Sequence, residues 1–504
     1  MQKNGFDNKR YLEEQTRFIL ERVNSSQGRL YLECGGKLLF DYHASRVLPG
    51  FDPNIKMRVF EALKEKIDVI ICIYAGDIER RKMRSDFGIS YDSDVFKMID
   101  DFAKFGLKCS KVVITRFENQ PSAVSFKAKL EAKGISVYTH TATPGYPSNI
   151  DIVVSDDGYG KNSYIPSDKE IILVTAPGPG SGKLATCLSQ MYHESKAGRK
   201  SSYAKFETFP VWNLPLQHPV NVAYEAATVD IGDINLIDHF HLAAYGQVSV
   251  NYSRDLDAFP LLVRILEKIN KETSVYKSPT DMGVNRIGFG IIDDEICQEA
   301  GKQEIIRRYC RTKTEYAQGI ANKETVERAK AIMDRLNLTL NDRPTIPAAT
   351  EALAKAQQQG KGNRGIACAA AIELADGNIV TAHNSPLLHA CSALVLNALK
   401  NLAGISKKED IISREVIKNV TVMKRDILSS RGVSLNLDEI LICLAMSASI
   451  SENAKKAMKH LPDLKNCEVH LTHIPSAGDS IGLRKLGMHV TSDPVFPTTD
   501  IYNP

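Results

Sequence analysis

Between Val174 and Lys183 the chain reads VTAPGPGSGK, and those residue types in that order can hold an anion. An apolar run ends at Thr175, the turn Pro177-Gly178-Pro179-Gly180-Ser181-Gly182 follows, and Lys183 opens a stretch with helical spacing. Glycines let the backbone bend sharply and aim several N–H groups at one point. A helix that starts there adds the partial positive charge of its first turn, and Lys183 adds a full one. The chemistry is that of a phosphate cradle, with Gly178, Gly180, Ser181, Gly182 and Lys183 as binding residues. Lys183 is also the first catalytic candidate if a phosphoryl group moves. The plainer alternative is a tight strand-to-helix turn with a chance lysine.

The loop resembles a P-loop, GxxxxGK[ST], with two departures. Pro177 stands at the first glycine position, and Leu184 stands where a Ser or Thr would ligate magnesium. Either Thr186, further along the helix, substitutes as a binding residue, or the ligand is not a magnesium nucleotide. A nucleotide with magnesium is the candidate cofactor. Phosphoryl transfer would also need a carboxylate at the end of a neighbouring strand. Asp293 and Asp294, after RIGFGII, are taken as catalytic candidates; Asp77, Asp230 and Asp233 are further ones, and each could equally be a loop or capping residue. The polar, turn-rich stretch Ser278 to Arg286 is expected at a ligand cleft, with Thr280, Asp281 and Asn285 as substrate contacts. His239 and His241 are two apart, as on a strand face, with no third ligand in view; a core or surface role suits them better than a metal.

Such residues need a frame. Asp68 to Tyr74 (DVIICIY), Lys111 to Thr115 (KVVIT) and Lys169 to Thr175 (KEIILVT) are continuous apolar runs, the pattern of strands covered on both faces. Helical spacing over 11–23, 57–66, 93–104, 123–133 and 184–197 alternates with them, which predicts an α/β fold with a parallel sheet. Residues 29–40 read as a hairpin, and 150–154 and 286–292 as strands. The predicted organisation is a P-loop-like phosphate-binding core over 1–294, a helical subdomain and linker over 295–347, and a further α/β domain over 348–504.

That last domain carries IACAAAIEL, the turn ADGN, IVTAHNS and a helix that begins near LLHACSA. The run resembles the opening of the cytidine-deaminase fold: hairpin, short loop, helix. In that family the helix start carries Cys or His, then Ala, then a catalytic Glu. Here the triplet is His389-Ala390-Cys391, which keeps a ligand and lacks the glutamate. The second motif, PCxxC at the next strand-to-helix junction, is expected near Ala445 to Asn453 after a strand at 439–446, and AMSASISEN has no cysteine. The resemblance therefore implies a fold without deamination and without zinc. What it leaves is a pocket lined by Asn384, Ser385, His389 and Ser392, the first three being candidate substrate contacts. An unrelated α/β domain with the same hairpin-helix start is the alternative.

The bulk numbers bound the rest. The chain has 504 residues, enough for two to four domains. Hydrophobic residues at 43% and charged residues at 25% exclude a mostly disordered chain. A net charge of +4 gives no basic stripe for nucleic acid. The polar N-terminus holds no secretory signal, no apolar run is long enough to span a membrane, and the scattered cysteines suit a reducing cytoplasm.

Taken whole, the chain resembles a bacterial family known only as a domain of unknown function, numbered eighteen-forty-six. GFDNKRYLEEQ, GGKLLFDYHASRVLPGFDPNIK, VTAPGPGSGK, SPTDMGVNRIGFGI and HNSPLLHACSA carry the likeness. The resemblance implies a multi-domain architecture and self-association into a homo-oligomer, and brings no reaction with it. The expected function is the binding of a phosphate-bearing small molecule or nucleotide by a phosphotransferase or ATP-dependent ligase. The alternatives are a non-catalytic metabolite sensor and a scaffold in which the loop is only a turn.

Overall fold

In the computed structural model, which describes residues 4–26, 28–84, 88–430 and 432–498, the apolar runs of the first half lie side by side. The strands β1 (Arg29–Cys34), β2 (Ile67–Tyr74), β3 (Lys111–Thr115), β4 (Ser136–His140), β5 (Ile171–Thr175) and β6 (Ser201–Phe206) form one parallel sheet, ordered β4-β3-β2-β5-β1-β6. All five residues of β5 are buried. Tyr31, Ile70, Cys72, Val113, Ile172 and Val174 pack in one cluster with Cys187, Leu188 and Met191 of helix α1 (Lys183–Lys196) and Phe259 and Ile265 of α2 (Ser253–Asn270). The alternate strand residues Leu30, Leu32, Ile71, Val112, Ile114, Ile171 and Leu173 are just as deeply buried, so the other face is covered too. That double burial is why these strands read as unbroken apolar runs.

Several expected elements differ. The hairpin at 29–40 is the single strand β1, because β5 and β6 occupy both its edges and leave none for 37–40. Residues 150–154 form the short helix Ile150–Val153, started by the Asn149 side chain, which accepts from the amide of Ile152 at 3.1 Å. Over 286–292 the chain turns as a 3-10 helix, Ile287–Gly290. A Cβ on Gly288 would lie 2.1 Å from Oδ1 of Asn213, and one on Gly290 2.4 Å from Phe6. These glycines serve close packing rather than a pleat.

The described residues divide into two compact units, 4–225 with 232–301, and 226–231 with 302–498. In the second, β7 (Ala369–Glu373), β8 (Ile379–His383), β9 (Glu468–Leu471) and β10 (His489–Ser492) form a mixed sheet ordered β8-β7-β9-β10. The pairs β7–β8 and β7–β9 are antiparallel and β9–β10 is parallel. Its core gathers α3 (Ala390–Leu402), α4 (Leu437–Ser447) and α5 (Ala477–Lys485) against that sheet. The expected strand at 439–446 is α4. Its buried residues Leu437, Ile440, Cys443, Leu444 and Ser447 recur at three and four, and Asn436 with Glu439 closes a capping box.

A buried charge anchors the two last strands. Arg343 is fully buried; its Nη2 lies 2.6 Å from Glu468 Oε2 and donates to the carbonyl of His489 at 3.1 Å, while Nε donates to Thr491 Oγ1 at 3.2 Å. Arg307 Nη2 holds Glu468 Oε1 at 2.6 Å. All ten cysteines are buried and unpaired. Among the described residues no helix is long and apolar enough to cross a membrane.

Candidate functional site

The position of β5 decides where a ligand can sit. β2 leads outward to β3 and β4, whereas β5 leads through α1 to β6 on the other side. Adjacent parallel strands whose connections run in opposite directions leave a crevice at their carboxyl ends. The glycine-rich turn is the segment that leaves β5 at that crevice.

Its shape is fixed from below. Gly182 has φ +87° and Gly180 φ +72°, both left-handed. A Cβ on Gly182 would lie 2.8 Å from Cγ2 of Thr115, at the end of β3, and one on Gly178 2.2 Å from the hydroxyl of Tyr91. The Thr115 hydroxyl donates to the carbonyl of Ser181 at 2.8 Å, and the Arg116 guanidinium donates to the carbonyl of Gly180 while stacking 3.4 Å over the Tyr74 ring. With the carbonyls tied back, the amides face elsewhere. Among the described residues the amides of Gly178, Gly180, Ser181, Gly182 and Lys183 meet no acceptor. The buried Ser181 hydroxyl has no partner either. A buried polar group left so costs about 1–3 kcal/mol, which an anion in the turn would recover.

Lys183 is half-buried and makes no ion pair among the described residues. Its charge reaches the ends of β1 and β2: burial pushes the Cys72 thiol up to about 12, against a bond from Thr186 and the pull of Lys183. Thr186, proposed as a binding residue, is fully buried, its hydroxyl bonded to Cys72 at 3.4 Å on β2. It belongs to the packing beneath the loop.

The other expected residues lie apart from the turn. Asp293 Oδ1 accepts from the amide of Ile296 at 3.2 Å, and Asp294 Oδ1 lies 3.0 Å from Nε2 of His218. Both carboxylates are engaged at the start of their own helix. Thr280 donates to Asp238 at 2.7 Å, Asp281 accepts from Tyr245 at 3.1 Å, and the Asn285 amide donates to the carbonyl of Thr208 at 2.8 Å. This segment is held by its own polar bonds. His239 and His241 lie on a short helix, His239–Tyr245, not a strand; His241 bonds Ser278 at 2.9 Å. Asp233 pairs with Arg254, and Asp230 is exposed. Asp77 alone of these carboxylates follows a strand adjacent to β5; it is buried and salt-bridged to Arg80.

Four residues that shape the crevice were not legible as site residues: Thr115, Arg116, Tyr74 and Tyr91. The first three stand within one residue of a strand end, the signal that could have marked them. Glu207, one residue beyond β6, is another. A Cβ on Gly35 would lie 2.0 Å from Oε1 of Glu207, so a larger residue there would have to displace that carboxylate. Burial raises the Glu207 carboxyl, with Lys205, 2.9 Å away, opposing it.

In the second unit Asn384 is committed to the backbone, accepting from the amide of Cys368 at 2.9 Å and donating to the carbonyl of Ile366 at 3.0 Å. Ser385 accepts from the amide of Leu388 at 3.1 Å, and Ser392 donates to the carbonyl of Leu435 at 2.9 Å. Cys391 is in the core, its thiol pushed up by burial. His389 precedes α3 with Nδ1 2.8 Å from Asp479 Oδ2. The strand-to-helix junction expected near 445–453 is absent: α4 ends there at Ser447 and another helix, Glu452–Met458, follows; the chain next passes from a strand to a helix between β9 and α5, at Thr472 to Ser476.

Two family models cover almost the whole chain: "Domain of unknown function DUF1846, N-terminal" over residues 4–337 and "Domain of unknown function DUF1846, C-terminal" over 341–502. The chain is 53% identical over 499 residues to a UPF0371 protein of Clostridium botulinum (strain Kyoto / Type A2), covering 99% of each. It is 53% identical over 498 residues to a UPF0371 protein of Clostridium tetani (strain Massachusetts / E88), again 99% of each. The botulinum strain Alaska E43 / Type E3 carries another, 52% identical over 498 residues. On these matches, the chain belongs to the DUF1846 family.

Proposed function

We propose that the turn from Gly178 to Lys183 binds the phosphate of a small metabolite or nucleotide. The observation that carries this reading is one turn at the carboxyl edge of the sheet whose amides, Ser181 hydroxyl and Lys183 charge have no partner among the described residues. Lys183→Ala should weaken binding of a nucleotide or phosphate ester by roughly tenfold to hundredfold, the worth of a charge-assisted hydrogen bond. Isothermal titration of both proteins checks it, and no binding by either leaves only a structural turn.

Leu184 at the magnesium position and the burial of Thr186 favour binding that needs no metal. Titration in EDTA should give the same affinity as in magnesium, as for a sensor. Brisk magnesium-dependent turnover lost in Lys183→Ala would instead favour a phosphotransferase or ligase, with Asp77, just after β2, as a candidate carboxylate. A deaminase-like C-terminal domain is supported by the hairpin β7–β8 followed by α3, and by Pro475-Ser476-Ala477-Gly478-Asp479 at the next strand-to-helix junction. Ser476 and Asp479 there would stand for the two cysteines of PCxxC.

A further inference from the structure

Three helices of the second unit start at one buried carboxylate. Asp479 is fully buried in the first turn of α5; its Oδ1 accepts from the amide of Leu437, the first residue of α4, at 2.9 Å. Its Oδ2 lies 2.8 Å from Nδ1 of His389, which precedes α3, and accepts from the Ser476 hydroxyl at 2.8 Å. Burial disfavours its charge, but the bonds to His389, Ser476 and Leu437 outweigh that and hold the carboxyl below its usual range. An ionised Asp479 requires a proton on Nδ1 of His389. In the neutral ring that leaves Nε2 with its lone pair, and the side chain is 32% exposed.

Two further features adjoin this ring. Ala390, Cys391 and Ser392 are buried, yet among the described residues their amides meet no acceptor, and no side chain caps α3. His473 is 7% exposed with Nδ1 unpartnered; burial lowers it to about 4, against the nearby charge of Asp479, so it is neutral at neutral pH.

We propose that His389 is the general base of a second site, independent of the phosphate-binding turn, which hydrolyses a small activated carbonyl compound. Nε2 of His389 takes a proton from water as the water oxygen bonds to the carbonyl carbon. The charge that develops on the carbonyl oxygen falls to the free amides of α3. The proton then passes to the leaving oxygen or nitrogen as its bond to carbon breaks. Asp479 is a positioning residue, holding the tautomer and the ring. Asp479 faces His389 directly, and the charges of Asp479, His389, Asp493 and His470 act together on the neighbouring His473.

The test uses the full chain and p-nitrophenyl acetate. His389→Ala should lower the initial rate about a hundredfold, with added imidazole restoring part of it. Asp479→Asn should lower the rate and displace its pH profile, which a merely structural role would leave in place. Nitrogen-15 NMR of the wild-type imidazoles, assigned by the signal missing in His389→Ala, should show the Nδ1–H tautomer and needs no variant of Asp479 to fold. Equal rates for wild type and His389→Ala, an Nε2–H tautomer, or one zinc per chain lost with His389 would each overturn the proposal.

Discussion

Arg343→Met should lower the stability of the C-terminal unit by about 3–5 kcal/mol, the usual penalty for removing one member of a buried ion pair. Methionine keeps an unbranched apolar stem but brings neither the charge nor the donors. Glu468 would keep Arg307 and His489 but lose the guanidinium that also ties β10 to β9 through the carbonyl of His489 and the hydroxyl of Thr491. The same network gives an acid dependence with a definite sign. Burial acts to raise the Glu468 carboxyl, but Arg307 and Arg343 outweigh it and hold it well below the usual carboxylate range. A group depressed on folding contributes fully above its unfolded value, about 4.3, and the contribution is lost as pH falls through the folded value. Calorimetric unfolding of the full chain should therefore show the C-terminal transition falling steeply in acid. In Arg343→Met that acid slope should be shallower and the transition lower throughout.

The second large effect lies in the glycine turn. Gly182→Val should reduce affinity for a phosphate ester by more than about a hundredfold and cost roughly 1–3 kcal/mol of stability, because a branched residue is forced into the left-handed region. The strain is compounded by space. The new Cβ would press on Thr115, whose hydroxyl holds the Ser181 carbonyl away from the crevice, so relief by either side disturbs the amides. Gly180→Ala is the control: φ is +72°, but nothing lies within 4 Å of its Cβ, so only the backbone cost remains. Titration and thermal melts of both variants separate the two. Wild-type affinity in Gly182→Val would show that ligand binding does not use this turn.

The sequence spoke most clearly where burial is two-sided. DVIICIY, KVVIT and KEIILVT could be little other than interior strands, and the glycine turn after the last of them was legible from its own chemistry. It spoke ambiguously where a short apolar run fits either period. EILICLAM (439–446) has the apolar density of a strand, though Asn436 and Glu439 spell a capping box. RIGFGII looked like a strand until its glycines proved to be places where Asn213 and Phe6 press on the backbone. The polar partners were hidden for another reason. Arg116 meets Gly180, Gly35 meets Glu207, and His389 meets Asp479 across long separations in the chain, and no local pattern announces such pairs.

The place of β5 also says something about how the molecule comes to be made. Ile171 pairs with Ile67 on one side and Leu30 on the other, so β1 and β2 touch only through a strand synthesised long after both. Until it arrives the nascent chain has one sheet fragment, β2 with β3 and β4, and the lone strand β1, each with an unsatisfied edge. Closing loops of that length is entropically costly and slow, and an open apolar edge invites pairing with another chain in the interval. A ribosome that stalls before codon 171, or a gene cut there, should release an aggregation-prone fragment rather than a smaller domain. The strand that presents the glycine turn is thus also the keystone of assembly, and the candidate site can exist only in a sheet that has already closed.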